Sequence, residues 1–206
     1  MKVKICGVTS AEAVDAAAGA DALGFNFVAA SPRFLPPAEA APLIARARPL
    51  PVGVFQDADD GLIAAAVAAG VRTIQLHGGE SPARLAEVKA RFGLPVWKAA
   101  GVRTAADIRA LARAFGHADA LLLDARAPAG SAIAGGHGLA FDWRILADAR
   151  PAGPWILAGG LSPETVAEAV RMTGARFVDV ASGVEDAPGV KSLAKIAAFL
   201  REAGRG

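Results

Sequence analysis

Short and almost continuously apolar runs recur along the whole chain. They cover Val3–Gly7, Ala22–Phe27, Pro51–Gln56, Thr73–Gly78, Val96–Gly101, Ala120–Ala125, Trp155–Leu161 and Phe177–Val184. Runs of about five to eight residues with this texture are typical of parallel strands that are buried on both faces. The pattern therefore predicts eight strands.

The segments between these runs carry apolar residues at the helical period. The stripes are clearest at Leu85, Val88 and Phe92 and at Ile108, Leu111 and Phe115. Apolar residues three and four apart lie on one face of a helix, where they can pack against a sheet. The chain is thus expected to alternate strand and helix throughout.

Residues typical of helix ends support this alternation. Ser81-Pro82 and Ser162-Pro163 have the form of an N-cap followed by proline in the first turn, and Thr9 with Glu12 matches a capping box. Left-handed C-terminal caps are expected at Gly93, Gly116 and Gly174. A helix start is also expected near Asp142, after the sixth strand.

Strict alternation of eight strands with about eight helices predicts an α/β protein with a parallel sheet. An open, doubly wound sheet is compatible with the pattern, but eight repeats in 206 residues favour a small closed (β/α)8 TIM barrel. No polar linker or shift in composition divides the chain. We therefore predict one barrel domain over residues 1–206.

Composition narrows the classes of function. The net charge is +2 without a basic block, so neither a nucleic-acid nor an anionic membrane partner is expected. The apolar runs are too short to span a membrane, and the N-terminus lacks the apolar stretch of a signal peptide. A single cysteine disfavours a disulfide scaffold and fits a reducing compartment, so we expect a cytoplasmic protein.

In a parallel barrel the chemistry gathers at the carboxyl ends of the strands. Glycine and reactive side chains follow those ends here: Cys6-Gly7, Asn26, Ser31-Pro32-Arg33, Gln56-Asp57, His77-Gly78, Lys98, Asp124, Gly159-Gly160 and Ser182-Gly183. Because these ends meet at one face of a barrel, we expect a single site there.

Two small-residue pairs at the last two strands suggest an anion site. Gly159-Gly160 follows the seventh strand and Ser182-Gly183 follows the eighth, the loops at which barrels often bind phosphate. Glycine lets backbone N–H groups approach an anion closely. Tight turns without a ligand are the alternative, and we favour phosphate binding.

Two residues are candidates for proton transfer. Cys6 ends the first strand and shares a side of it with Lys4, although a buried cysteine is more often a small apolar filler. Asp124 ends an otherwise apolar strand, which makes a general acid credible. An aspartate there could instead cap a helix, but no helical pattern starts until about Asp142.

The other ionisable candidates are less specific. Arg33 could grip a carboxylate through two parallel hydrogen bonds, or it could be a solvated loop residue. Lys98 could form a Schiff base, but pairing with a carboxylate inside the barrel is the more frequent role. His77, His117 and His137 lack partners at metal-ligand spacing, so no metal site is predicted; His137, in Gly135–Gly138, could belong to a mobile lid.

Several strings in the sequence resemble the phosphoribosylanthranilate isomerase family. They are KICGVT (4–9), ALGFNF with SPR (22–33), VGVF (52–55), QLHG (75–78), VWKA (96–99), LLLDA (121–125), GGHG with FDW (135–143), LAGGL (157–161) and DVASGVE (179–185). The strings occur in order and touch all eight predicted strands. The opening KICG together with LAGGL and SGVE is the most specific combination.

The resemblance implies a cofactor-free and metal-free Amadori rearrangement in tryptophan biosynthesis. An N-(5-phosphoribosyl)anthranilate aminoaldose becomes a carboxyphenylamino-deoxyribulose phosphate. The family's general base and general acid fall on Cys6 and Asp124, and its carboxylate-binding arginine falls on Arg33. The residues expected to bind the rest of the phosphorylated substrate are Gly159, Gly160, Asp179, Ser182 and Gly183.

Two departures from the family pattern affect binding rather than chemistry. His137 stands where the family more often has Ser or Thr, and Ala181 replaces a frequent serine near the phosphate. Other phosphosugar barrels, such as an epimerase, and a non-catalytic metabolite-binding barrel remain as alternatives. The chain is expected to be a monomer or homodimer and to use a single substrate.

Overall fold

The computed structural model describes residues 1–125, 143 and 145–204. Eight parallel strands close into a barrel in sequence order, so β1 pairs with both β2 and β8. The strands are β1 Lys2–Cys6, β2 Ala22–Asn26, β3 Leu50–Phe55, β4 Thr73–Leu76, β5 Val96–Val102, β6 Ala120–Ala125, β7 Trp155–Ala158 and β8 Phe177–Val180. The predicted (β/α)8 barrel is confirmed and the open sheet is excluded.

Helices follow the strands around the barrel. Within the described residues they are α1 Ala11–Ala16, α2 Pro37–Arg46, α3 Asp60–Ala68, α4 Pro82–Phe92, α5 Ala105–Ala114, α6 Ile145–Asp148, α7 Val166–Thr173 and α8 Leu193–Ala203. None of them is both long and apolar enough to cross a membrane. The helix start expected near Asp142, and the Gly135–Gly138 stretch with His137, lie outside the described residues.

Alternation along each strand sorts the side chains between two layers. Outward-facing residues such as Ile5, Leu23 and Ile74 pack beneath the helices in the main core. Inward-facing residues fill the barrel, where Trp97, Leu122 and other apolar side chains form a separate cluster. Because both faces of each strand are buried, the strands are apolar throughout. The apolar runs in the sequence therefore predicted their positions.

The structure confirms some predicted helix ends and corrects others. Ser81 caps α4, accepting from the N–H of Arg84, and Gly93 and Gly174 take the left-handed conformation at the ends of α4 and α7. The capping box at Thr9 is wrong, because Ser10 accepts from Ala13 and is the N-cap.

Two further helix ends differ from the prediction. Ser162 opens a turn, accepting from the N–H groups of Thr165 and Val166, so α7 begins only at Val166. The C-cap of α5 is Phe115 rather than the following glycine. Ser162 and Gly116, the residues that predicted these helix ends, lie in the adjoining turns. Backbone hydrogen bonds decide where each helix begins or ends.

The largest difference from the predicted elements follows β8. The apolar run was expected to continue as strand to Val184, but the strand ends at Val180 and a 3-10 helix covers Ser182–Val184. A small antiparallel pair follows, β9 Glu185–Ala187 with β10 Val190–Lys191. This turn of the chain brings Glu185 and Lys191 back to the mouth of the barrel.

Candidate active site

The carboxyl ends of the strands surround a cleft of about 280 Å³. Seven of the eight residues predicted for the site line it, namely Cys6, Arg33, Asp124, Gly159, Gly160, Asp179 and Ser182. The residues come from β1, β6 and β8 and from the loops after β2, β7 and β8. Closure of the barrel therefore brings together residues that are up to 176 positions apart in sequence.

Gly183 is the predicted residue that does not line the cleft. A Cβ at this position would collide with the carbonyl oxygen of Leu161. The glycine thus lets the loop after β8 pack directly against the loop after β7. Its place in the structure is between the two loops of the predicted phosphate site.

The turn after β7 depends on two consecutive glycines. Gly159 and Gly160 have φ angles of 85° and 65°, which L-residues with side chains rarely adopt. The chain can therefore turn sharply at the end of the strand and keep its backbone at the edge of the cleft. Ser182, across the cleft wall, starts the 3-10 helix that follows β8.

Cys6 is the last residue of β1 and is almost fully buried, with 8% of its surface exposed. Burial raises the pKa of its thiol above the usual range, because the thiolate loses hydration. The positive charge of Lys4 opposes that shift, whereas the negative charge of Asp179 adds to it. The thiol therefore faces the cleft with an ammonium group beside it.

Lys4 and Asp179 form an ion pair below Cys6. They are directly paired residues of β1 and β8, and Lys4 Nζ donates to Asp179 Oδ1 at 2.9 Å. The Lys4 side chain is completely buried, and it lies on the side of β1 that carries Cys6, as the alternation along the strand predicted. Asp179 also lines the cleft, so its carboxylate joins a buried cation to the site.

Asp124 reaches the cleft from the end of β6 and is about a quarter exposed. Its Oδ2 lies 3.7 Å from Nε2 of His77, which follows β4. On the other side of the imidazole, Gln75 Nε2 lies 3.4 Å from His77 Nδ1. Gln75 and His77 thus form a polar wall that faces the carboxylate.

Arg33 is held by a carboxylate of the protein itself. Its Nε and Nη2 donate to the two oxygens of Glu185 at 2.6 and 2.7 Å. Lys191 donates to Glu185 Oε1 and to the carbonyl oxygen of Ala181, both at 2.8 Å. Burial opposes ionisation of Glu185, but the bonds from Arg33 and Lys191 keep its pKa below the usual range. The alternative of a solvated Arg33 is therefore excluded.

Lys98 lies inside β5 rather than at its end. Its ammonium donates to Glu80 Oε2 at 2.8 Å and to the carbonyl oxygen of Gly78 at 2.7 Å. The carboxylate pairing considered for this lysine is thus what the structure contains. His117 does not line the cleft, and its Nε2 lies 3.3 Å from the carbonyl oxygen of Pro82.

Three cleft or near-cleft residues were not singled out from the sequence as site residues. Gln75 lies within β4, before the predicted strand end at Gly78, and its surface is 99% buried. Glu185 closes the SGVE string, which was the one available signal for it. Lys191 carried no signal, because its position depends on the β9–β10 pair.

Comparison with known proteins agrees with the fold and shows the family. The family model for N-(5'phosphoribosyl)anthranilate (PRA) isomerase matches residues 3–202. The N-(5'-phosphoribosyl)anthranilate isomerase of Paracoccus denitrificans is 51% identical over 209 residues, covering 98% of this chain and 97% of that protein.

Solved structures give the same result. The phosphoribosyl anthranilate isomerase of Thermotoga maritima superposes with a TM-score of 0.88 at 32% identity, covering 99% of this chain and 98% of that one. A further isomerase structure, with a TM-score of 0.86 and 30% identity over 99% of this chain and 98% of its own, holds reduced 1-(o-carboxyphenylamino)-1-deoxyribulose 5-phosphate.

Fold and site together define a barrel enzyme of the isomerase class. The chain belongs to the N-(5'-phosphoribosyl)anthranilate isomerase family. The family resemblance noted in the sequence, the barrel and the isomerase activity are confirmed.

Proposed function

We propose that Cys6 and Asp124 are the base and acid of an Amadori rearrangement in tryptophan biosynthesis. The reaction converts N-(5-phosphoribosyl)anthranilate to 1-(2-carboxyphenylamino)-1-deoxyribulose 5-phosphate. The observation that carries the proposal is that the thiol and the carboxylate face one cleft from β1 and β6, three strands apart around the ring. A sugar bound between them would meet one proton donor and one proton acceptor from different directions.

The first half of the reaction opens the sugar ring. Asp124 gives a proton to the furanose ring oxygen, and the bond between this oxygen and C1 breaks with its electron pair on oxygen. The anilino nitrogen lone pair forms the C=N bond of a Schiff base. A positioned general acid contributes about 10²- to 10⁴-fold to such a step. The polar wall of His77 and Gln75 would keep Asp124 directed at the sugar.

The second half removes a proton from the sugar C2. The Cys6 thiolate takes this proton, and the electrons of the C–H bond form the double bond of an enolamine as the Schiff base nitrogen is neutralised. The enolamine then tautomerises to the ketone. The thiolate rather than the thiol is the active form, so the charges around Cys6 bear directly on the rate.

Binding is assigned to both sides of the reacting carbons. Gly159, Gly160, Ser182 and Gly183 would surround the phosphate with backbone N–H groups. The glycine turn and the packing of the two loops support this assignment. Asp179 Oδ2 would accept a hydrogen bond from a sugar hydroxyl, since Oδ1 already accepts one from Lys4.

Arg33 would bind the anthranilate carboxylate. Glu185 uses the Nε–Nη2 edge of the guanidinium, so the substrate would bind at the Nη1–Nη2 edge. A carboxylate at this edge gains charge-assisted bonds from a side chain that is already fixed in place. Fixing the arginine before binding lowers the entropy lost on binding.

The decisive experiment follows the fluorescence of phosphoribosylanthranilate with the purified protein. We expect its loss with the parent and a strongly reduced rate with Cys6→Ser and with Asp124→Asn. A protein that binds the substrate without turning it over would be a metabolite-binding barrel. Full activity in both variants would remove the pair from the mechanism.

The remaining properties follow from the same proposal. Residues 1–206 act as one domain, because the barrel elements run from Lys2 to Ala203. The chain works in the cytoplasm, as a monomer or homodimer, on a small phosphorylated substrate. Comparable turnover of a histidine-pathway aminoaldose would contradict the expected single-substrate specificity.

A further inference from the structure

A buried cation lies beside the proposed base. Lys4 precedes Cys6 by two residues, so both side chains point to the inner face of β1. Lys4 is 0% exposed, and its ammonium is paired at 2.9 Å with Asp179. A buried ammonium group is costly unless it is paired, and substituting an apolar residue for such a pair is often neutral or stabilising. Stability alone therefore does not explain a lysine at this position.

Gly24 of the neighbouring strand shows how close the two side chains are. A Cβ placed on Gly24 would lie 2.7 Å from the Cys6 sulfur and 3.1 Å from Cε of Lys4. Both side chains therefore cover the same point of β2, with the sulfur towards the cleft and the lysine below it. The missing side chain at Gly24 is what lets them share this space.

We propose that Lys4 is a positioning residue whose positive charge stabilises the thiolate form of Cys6. Asp179 holds the Lys4 ammonium group in place beside the sulfur. The inference deepens the proposed function, in which Cys6 must be a thiolate to remove the C2 proton. Lys4 does not touch the substrate. It acts through the sulfur.

The charges around the two groups support this role. Burial by itself would lower the pKa of Lys4, but the charges of Asp179 and Cys6 outweigh it and raise that pKa. Lys4 thus stays an ammonium group while the thiol titrates. Lys191 favours the thiolate and Asp179 disfavours it. Within the described part of the chain, the other charged or titratable groups that line the cleft with Cys6 are Arg33, Asp124 and His77.

The chain offers a direct measurement, because Cys6 is its only cysteine. The rate of alkylation by iodoacetamide as a function of pH gives the midpoint of thiol ionisation without any catalysis. In Lys4→Met we expect the midpoint to rise by about 1–3 pH units, the usual effect of losing an opposite charge at close range. In Asp179→Asn we expect it to fall, because a negative charge beside the thiolate is removed.

Opposite directions are the signature of the proposal. A pair with a merely structural role would loosen the barrel in both variants and shift both midpoints the same way, or neither. Should Lys4→Met fold poorly, the double variant Lys4→Met/Asp179→Leu replaces both charges by apolar side chains. Its midpoint is expected above that of the parent, because the thiol loses the neighbouring cation and is left among apolar side chains, which disfavour the thiolate.

Lys98→Met is the matched control. It removes the ammonium of another buried lysine–carboxylate pair, whose side chains are 4% and 3% exposed. We expect the alkylation midpoint of Cys6 to stay at the parent value in this variant. A midpoint that is unchanged in Lys4→Met, or that moves equally in Lys98→Met, would overturn the proposal.

The pH profile of kcat/KM separates this inference from the proposed function. If Cys6 is the base, the low-pH limb of the profile should move with the alkylation midpoint in Lys4→Met. If Lys4→Met shifts the alkylation midpoint but leaves the low-pH limb of kcat/KM in place, the role of Lys4 is supported. Cys6 is then rejected as the base. Loss of activity in Cys6→Ser with an unshifted midpoint in Lys4→Met keeps the base and rejects the role of Lys4.

Discussion

Among the described residues, three lysine–carboxylate pairs have buried side chains, and two of them, Lys98–Glu80 and Lys4–Asp179, differ in what surrounds them. Glu80 binds Lys98 and also accepts from the backbone N–H groups of Asp57 and Gly78. Lys98 additionally donates to the carbonyl oxygen of Gly78 and lies 5.5 Å from the ring centroid of Phe115. This pair ties together β5 and the loops after β3 and β4.

The pair on the other side of the barrel has a different neighbour. Lys4 and Asp179 join β1 to β8 and lie next to the Cys6 thiol at the wall of the cleft. Backbone groups of two loops bond to the Lys98 pair, whereas the Lys4 pair lies beside a thiol that lines the cleft. We propose that pairs of similar burial and chemistry serve loop structure in one region and ionisation of the Cys6 thiol in the other.

The largest expected effect concerns the two candidate proton-transfer groups that line the cleft. Cys6→Ser and Asp124→Asn should each lower kcat by about 10²- to 10⁴-fold, because each removes one positioned proton-transfer group. Initial rates with phosphoribosylanthranilate measure this, and Tm should stay near that of the parent. Near-parent turnover in Cys6→Ser would leave the cysteine as core filling.

The next effect belongs to the structural pair. Lys98→Met leaves Glu80 buried without its cation and should lower the free energy of unfolding by about 3–5 kcal/mol. Urea denaturation followed by circular dichroism measures the loss. We expect kcat per folded molecule to remain close to that of the parent. A large fall in kcat with intact stability would mean that both buried pairs serve the chemistry.

A smaller effect is expected for substrate binding at the mouth. Arg33→Met should raise KM with little change in the fold, since a charge-assisted bidentate contact contributes about 2–3 kcal/mol. Arg46→Met is the matched control, because Arg46 also grips a carboxylate, that of Asp15, but on the exposed surface. An equal KM in both variants would return Arg33 to a structural role with Glu185.

The smallest effect tests the assignment of phosphate to the last two loops. Ser182→Glu places a carboxylate at the edge of the cleft and should weaken binding of inorganic phosphate at least about tenfold, or ~1.4 kcal/mol. Calorimetric titration measures the affinity. Ser182→Ala should change it less, since the backbone N–H groups stay in place. Unchanged affinity in Ser182→Glu would place the phosphate elsewhere.

The sequence by itself determined the strands and placed candidate polar residues at their carboxyl ends. Both faces of a parallel barrel strand are buried, so each strand forms an apolar run, and the ends of those runs indicated Cys6 and Asp124 as candidates, both of which line the cleft. The two-residue period of β1 also placed Lys4 on the side of Cys6. These features depend on neighbours in the chain, which is why local patterns carry them.

Only the tertiary structure decided which groups meet. Glu185 reaches Arg33 across 152 residues, and Lys4 reaches Asp179 across 175. A 3-10 helix and the β9–β10 pair that positions Lys191 follow β8 in place of the expected strand end, and α7 begins at Val166 rather than at Pro163. Such pairings depend on closure of the barrel and on backbone hydrogen bonds between distant segments, and no local pattern of apolar and polar residues records them.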